Sequence, residues 1–282
     1  MLFSVSFIRQ TFTNQEITLS TLEWSQGKTP LLCLHGLGDQ SLVWSSLGNF
    51  LAPSYHILAP DLRGHGDSSK PLTGYYFQNY LEDLRHLMAQ REWTSAHVVA
   101  HSWAAKLVCI WATQEPKKFR SLTLVDPFFI GKIPPIFKLT FPLLYKVLSF
   151  LKLSQSFSSY TAIESKARQL PEYQGWSPLQ QQVFQASIEQ KADGTWSSKF
   201  IQQARDEVFE EVMTVAGLTQ PVTIPTLLIQ PSQGVNRTAW QLKPYQQYLK
   251  NLEIQKMPGN HWSFMVNADN FNVRVAQFLD QF

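Results

Sequence analysis

Val98-Val-Ala-His-Ser102-Trp-Ala-Ala105 is the stretch on which the reading of this chain turns. Its apolar start reads as a strand, and the helical spacing of 103–115 begins directly after the serine. A serine on so sharp a strand-to-helix turn needs small residues two before and two after it, because larger side chains collide with neighbouring backbone. Ala100 and Ala104 fill those positions, where glycine is the usual choice. The turn would present the Ser102 hydroxyl at the end of a strand, where a nucleophile can meet a base.

Working outward, the runs 30–35, 55–60, 96–101 and 121–126 are short and continuously apolar, as suits strands buried on both faces. Runs 4–12 and 16–24 read as an opening pair, and 225–230 and 253–257 as two closing strands. Helical spacing falls between them at 40–51, 75–92, 103–115, 238–250 and 264–282. This alternation predicts an α/β fold, a doubly wound, mostly parallel eight-stranded sheet with right-handed crossovers. Residues 127–222 break the pattern. They are helical in periodicity and punctuated by Pro134, Pro135, Pro142, Pro171 and Pro178. The expected organisation is therefore a core of 1–126 and 223–282 with an all-helical cap, 127–222, inserted between two strands.

Composition narrows the function classes. Of the 282 residues, 44% are hydrophobic and only 16% charged, against about 25% charged in ordinary globular proteins. The 24 Lys and Arg against 21 Asp and Glu leave a net charge of +3, too little for the basic stripe of a nucleic-acid binder. Cys33 and Cys109 sit in apolar runs without metal-ligand spacing, so buried reduced thiols and a reducing compartment are expected, with no metal. The N-terminal stretch lacks the basic and apolar regions of a signal peptide. No apolar run reaches ~18 residues. The expected location is the cytoplasm.

Two further segments complete a possible site. His35-Gly36-Leu37-Gly38 follows the third strand, where the Leu37 backbone N–H could join that of Trp103 in holding an oxyanion. Met257-Pro-Gly-Asn-His261 places a histidine in a loop after the last strand, where it could take the serine's proton. The order Ser102 then His261 suits this chemistry. The remaining histidines, including His35, His65 and His97, read as structural, with His101 packed beneath the serine turn.

Four landmarks in order now carry a resemblance over essentially the whole chain. They are His35-Gly36, Asp61-Leu-Arg-Gly-His-Gly-Asp-Ser68, the Ser102 turn and Gly259-Asn-His261. The sequence resembles the α/β-hydrolase family, in which D-x-R-G-x-G-x-S commonly follows the fourth strand as a structural turn. The resemblance implies a Ser nucleophile, a His base, no cofactor, and a cap over an apolar pocket; in the turn, Arg63 and Asp67 would tie down the loop. It departs at the acid, which most relatives carry in the loop after the strand that follows the cap. Here that loop reads Ile229-Gln-Pro-Ser-Gln-Gly-Val-Asn236, and no Asp or Glu occurs from 222 to 252. An acid is still wanted, to hold the histidine tautomer. Asp126, at the end of an adjacent strand, is the substitute that some family members use; Asn236 acting as a neutral amide, or no third member, are the alternatives.

The cap has its own signal. From Pro127 to Ile163 there is no Asp or Glu, while Lys132, Lys138, Lys146 and Lys152 are present. Across 136–151 apolar residues fall nearly all round a helical wheel, so both sides are buried against a pocket or one side meets lipid at a membrane surface. Either way the expected substrate is a sizeable apolar small molecule. The leading expectation is a serine hydrolase of an ester or related acyl bond, with Ser102, His261 and Asp126 catalytic and Leu37 and Trp103 forming the oxyanion hole. A non-catalytic small-molecule binding protein on the same fold is the main alternative. A cofactor-free dioxygenase is a lesser alternative, since a His base with an acid after the sixth strand also resembles those enzymes, but they carry a second His after the elbow Ser, where this chain has Trp103. An Asp at position 102 would instead have indicated dehalogenation or epoxide opening.

Overall fold

The computed structural model describes residues 7–134 and 149–282. Ten strands run in chain order: β1 Ile8–Asn14, β2 Ile17–Trp24, β3 Thr29–Leu34, β4 Tyr55–Pro60, β5 Ala96–His101, β6 Phe119–Val125, β7 Ile188–Gln190, β8 Trp196–Ser198, β9 Thr226–Gln233 and β10 Leu252–Asn260. Eight of them form one sheet in the order β1-β2-β4-β3-β5-β6-β9-β10. The β1–β2 and β2–β4 pairs are antiparallel and every later pair is parallel. The expected mostly parallel, eight-stranded sheet is thus the one observed.

The period-2 geometry of the strands divides the core between two faces. Leu32, Leu34, Val98, Ala100, Leu122, Leu124 and Leu228 pack on one face with helices α2 (Phe77–Gln90) and α3 (Trp103–Gln114). Leu31, Cys33, Val99, Val125, Leu227 and Ile229 pack on the other with α1 (Ser45–Leu51) and the C-terminal helix (Ala268–Leu279). Both faces are dry, which is why the central strands read as unbroken apolar runs. Cys33 and Cys109 are free and buried, and burial raises both thiol pKa values.

Between β6 and β9 the described residues include helices α4 (Tyr160–Ala167), α5 (Pro178–Ser187) and α6 (Gln202–Thr214). Pro178 opens a helix rather than ending one: it stands at the first helical position behind a capping box of Ser177 and Gln180, where its missing N–H costs nothing. The segment also holds the antiparallel ribbon β7–β8, an addition to the expected all-helical content. The apolar stretch 136–151 lies almost wholly outside the described residues.

One buried polar group ties this segment to the core. Lys106, fully buried on α3, donates to the carbonyls of Gly131 (2.6 Å) and Val212 (2.5 Å). Asp61, in the loop after β4, accepts from the N–H groups of Ser41 (2.7 Å) and Asp67 (2.9 Å) and from Arg9 (3.2 Å). Asp61 thus organises the D-x-R-G turn from inside, while Arg63 and Asp67 tie it down as expected. Arg63 reaches out of the turn to Gly74 O and, through two 2.6 Å bonds, to the Asp83 carboxylate on α2. Asp67 pairs with Lys199 at 2.6 Å.

Glu172 is a buried carboxyl in the inserted segment. It is 4% exposed on the turn Pro171–Tyr173, and its Oε2 has no hydrogen-bond partner. Burial, with a smaller contribution from the negative charge of Asp39, pushes its carboxyl up to about 8. The native state therefore holds a proton that the unfolded chain has released once pH exceeds the usual carboxylate range, so Glu172 makes stability fall as pH rises through about 8. Glu172→Gln should remove this slope. Thermal melts from pH 4 to pH 9 are expected to show the variant gaining on the parent as pH rises; a difference that does not change with pH would contradict it.

Candidate active site

Ser102 lies between β5 and α3 with φ 57° and ψ −120°. A side chain at positive φ is strained by ~1–3 kcal/mol, and such strain persists only where the surroundings over-determine it. Here they do: Ser102 N–H donates to Val125 O (3.0 Å), while Ser102 O accepts from Ala105 N (3.1 Å) and Phe128 N (3.1 Å). Ala100 and Ala104 are completely buried, so larger side chains there would meet closed packing. Trp103 is 2% exposed, lies parallel to Phe77 at 6.4 Å and meets Tyr80 edge-on at 4.9 Å. It anchors the start of α3 in the core.

His261 follows β10 and bridges two partners. Its Nε2 lies 2.9 Å from Ser102 Oγ, and its Nδ1 lies 2.6 Å from Asp126 Oδ2. A proton on Nδ1 shared with the carboxylate leaves the Nε2 lone pair facing the serine hydroxyl, the tautomer a general base requires. Asp126 follows β6, is fully buried and takes φ 39°. Burial alone would raise its pKa. The hydrogen bond and charge of His261, with donors from Val235 and Asn236, outweigh that and hold it below the ordinary carboxylate value.

The loop that lacks the usual acid has become the cradle of this one. Val235 N–H donates to Asp126 Oδ2 (2.8 Å), and Asn236 donates to Oδ1 from its backbone (3.3 Å) and its side chain (3.2 Å). Asn236 Nδ2 also holds Pro127 O at 2.5 Å. Asn236 thus binds the carboxylate and not the histidine. At Gly234 a Cβ would fall 2.4 Å from Asp126 Oδ2, so glycine there makes room for the acid. This cradle was not foreseen; its one sequence trace is the Gly234-Val-Asn run opposite the end of β6.

His101 supports the base from below. Its Nε2–H donates to His261 O (2.9 Å), and its Nδ1 lies 3.4 Å from Asp39 Oδ2, whose carboxylate also accepts from Trp262 Nε1 (3.2 Å). Burial, and next the adjacent His261, push His101 down to about 4, so it acts as a neutral donor. A Cβ on Gly36 would meet its ring nitrogen at 2.5 Å. Leu37 follows Gly36, and the β3–β5 register sets Leu34 beside Ala100. Leu37 and Trp103 therefore leave the same end of two neighbouring strands. Among the described residues no cluster of His, Cys, Asp and Glu could hold a metal ion, and no helix is long and apolar enough to cross a membrane.

A family model described as the alpha/beta hydrolase fold matches residues 29–268. The chain belongs to that family. A 2-(acetamidomethylene)succinate hydrolase of Mesorhizobium japonicum is 34% identical over 121 residues, 43% of each chain. A haloalkane dehalogenase of Bradyrhizobium diazoefficiens is 34% identical over 110 residues, 39% of this chain and 35% of the other. The chain thus spans well under half the length of these curated relatives. The crystal structure of an E-2-(acetamidomethylene)succinate hydrolase matches at a TM-score of 0.81 and 23% identity, covering 97% of this chain and 99% of that one. A thioesterase domain from the curacin biosynthetic pathway matches at 0.76 and 20%, covering 96% and 99%.

Because Gly234 gives the carboxylate its space, Gly234→Ala should displace Asp126 while leaving the sheet intact. Misplacement of a catalytic group by about 1 Å costs ~100-fold in rate. The expected result is a loss of that order in kcat with an unchanged far-ultraviolet circular dichroism spectrum; full activity in the variant would dissociate Gly234 from the site.

Proposed function

We propose that this protein is a serine hydrolase that cleaves an ester or related acyl bond of an apolar substrate through an acyl-enzyme. The observation that carries the reading is the continuous path Ser102 Oγ–His261–Asp126, with contacts of 2.9 and 2.6 Å. In the first step Ser102 Oγ attacks the acyl carbon as His261 Nε2 takes its proton. Asp126, still ionised, stabilises the imidazolium. The backbone N–H groups of Leu37 and Trp103 hold the oxyanion, each worth roughly 3 kcal/mol in such sites. His261 then returns the proton to the leaving group, and water admitted on the same path releases the acid. The chemistry requires no cofactor.

The segment 127–222 acts in this reading as a cap, and its carboxylate-free start at 127–163 supports an apolar acyl group. The relatives named for dehalogenation and epoxide hydrolysis share the scaffold, yet a serine in place of an aspartate at the elbow disfavours both reactions here. The curated relative named for 2-(acetamidomethylene)succinate hydrolysis adds that compound to the substrates to be screened.

Intact mass after exposure to a fluorophosphonate should rise by one adduct, and Ser102→Ala should abolish it. Failure of both this probe and the smaller phenylmethylsulfonyl fluoride to label the folded protein would favour a non-catalytic binding role instead. On an ester and thioester series of rising chain length, Asp126→Asn should lower kcat by about 10⁴-fold with substrate binding retained. An unchanged rate would remove Asp126 from the mechanism.

A further inference from the structure

A groove of about 530 Å³ opens on the outer side of the Asp126 cradle, between residues 127–133 and helix α7 (Ala239–Tyr248). That volume lies within the range of small-molecule sites. Phe129, Ile130, Pro244 and Tyr245 give it an apolar lining, to which Lys132 from the first segment and Lys243 from the helix add exposed side chains. Trp240 projects beside them with 76% of its surface exposed.

Charge sets this groove apart. None of its lining residues is acidic, and the two segments that supply most of them, 127–163 and 222–252, contain no Asp or Glu. The carboxylate of Asp126, behind Val235 and Asn236, is satisfied by their donors and by His261. Among the described residues neither Lys132 nor Lys243 pairs with a carboxylate. Two free ammonium groups over an apolar trough match a ligand with one anionic end and one long apolar end.

We infer that the groove is a binding site for a single-chain anionic amphiphile, a long-chain carboxylate whose tail lies against Phe129, Ile130, Pro244 and Tyr245 and whose head meets Lys132 and Lys243. The concavity suits one chain held from two sides rather than the surface of a bilayer. The site does not depend on the chemistry assigned to Ser102, although a carboxylate of this kind is also the class of product that cleavage of an apolar acyl ester releases. Val235 and Asn236 are at once groove wall and partners of Asp126, so an occupant would lie one backbone layer from the acid.

The test uses the full chain and a dodecanoate analogue bearing a photoactivatable diazirine, below its micellar concentration, with peptide mapping of the label. Label is expected on peptides from 239–248 as well as 127–133, displaced by dodecanoate and much less by dodecanol. Lys132→Glu/Lys243→Glu, two exposed positions, should weaken dodecanoate competition by about tenfold or more while the melting temperature stays close to the parent's. Label absent from 239–248 would overturn the inference, as would equal competition by dodecanol or an unaffected double variant. Label that appears only when phosphatidylglycerol vesicles are added would replace the amphiphile site with a bilayer contact.

Discussion

A carboxylate with no access to water has to be surrounded by donors, and Asp126 imposes that requirement on the whole end of the sheet. Its donors come from the residue after β10 and from two residues after β9, so three strand ends must arrive together for any one to be satisfied. Leaving a buried charge without partners costs several kcal/mol. The same demand accounts for the strained backbone. Asp126 and Ser102 both take positive φ at the ends of neighbouring strands, and the bonds Ser102 N to Val125 O and Phe128 N to Ser102 O lock the two turns to each other.

Histidine is used in two ways around this point. His35 donates from Nδ1 to Gly36 O (2.8 Å) and accepts from Leu62 N–H at Nε2 (2.9 Å), joining the loops after β3 and β4. His101 joins the elbow strand to the His261 loop. Burial depresses both, so each is a neutral ring; His35 uses a donor and an acceptor edge, while His101 serves as a donor. His261 alone among them has a ring nitrogen facing a serine hydroxyl.

Much of this was legible in the sequence, and unevenly so. The strands at 55–60 and 96–101 were read to the residue because burial on both faces leaves no alternation to misplace. The Ser102, His261 and Asp126 positions follow from strand ends and from the tautomer the chemistry needs, and the fold brings the three side chains together. Asn236 was weighed as a partner for the histidine and instead holds the acid; spacing along a chain gives proximity but not the direction in which an amide points. Arg63 and Asp67 anchor the loop as the motif implies, but the role of Asp61 inside the turn is not legible, since a motif shows which residue types recur and not which one faces inward. The ribbon β7–β8 escaped notice because three-residue strands carry almost no periodicity, although Asp193-Gly194, with Gly194 at φ 84°, is a hairpin signal.

Lys106 stands four residues after Ser102 and grips a carbonyl at each end of the inserted segment, Gly131 near its entry and Val212 near its exit. The core thus closes that loop itself, with a residue of the helix that begins after Ser102. Once both ends are pinned, lengthening the chain between them costs only the slow logarithmic growth of loop entropy, about 0.6 kcal/mol per doubling. The segment between the two anchors is therefore free to diverge in length and sequence while the Ser102 turn stays put, so the surroundings of Ser102 can change without disturbing the turn itself.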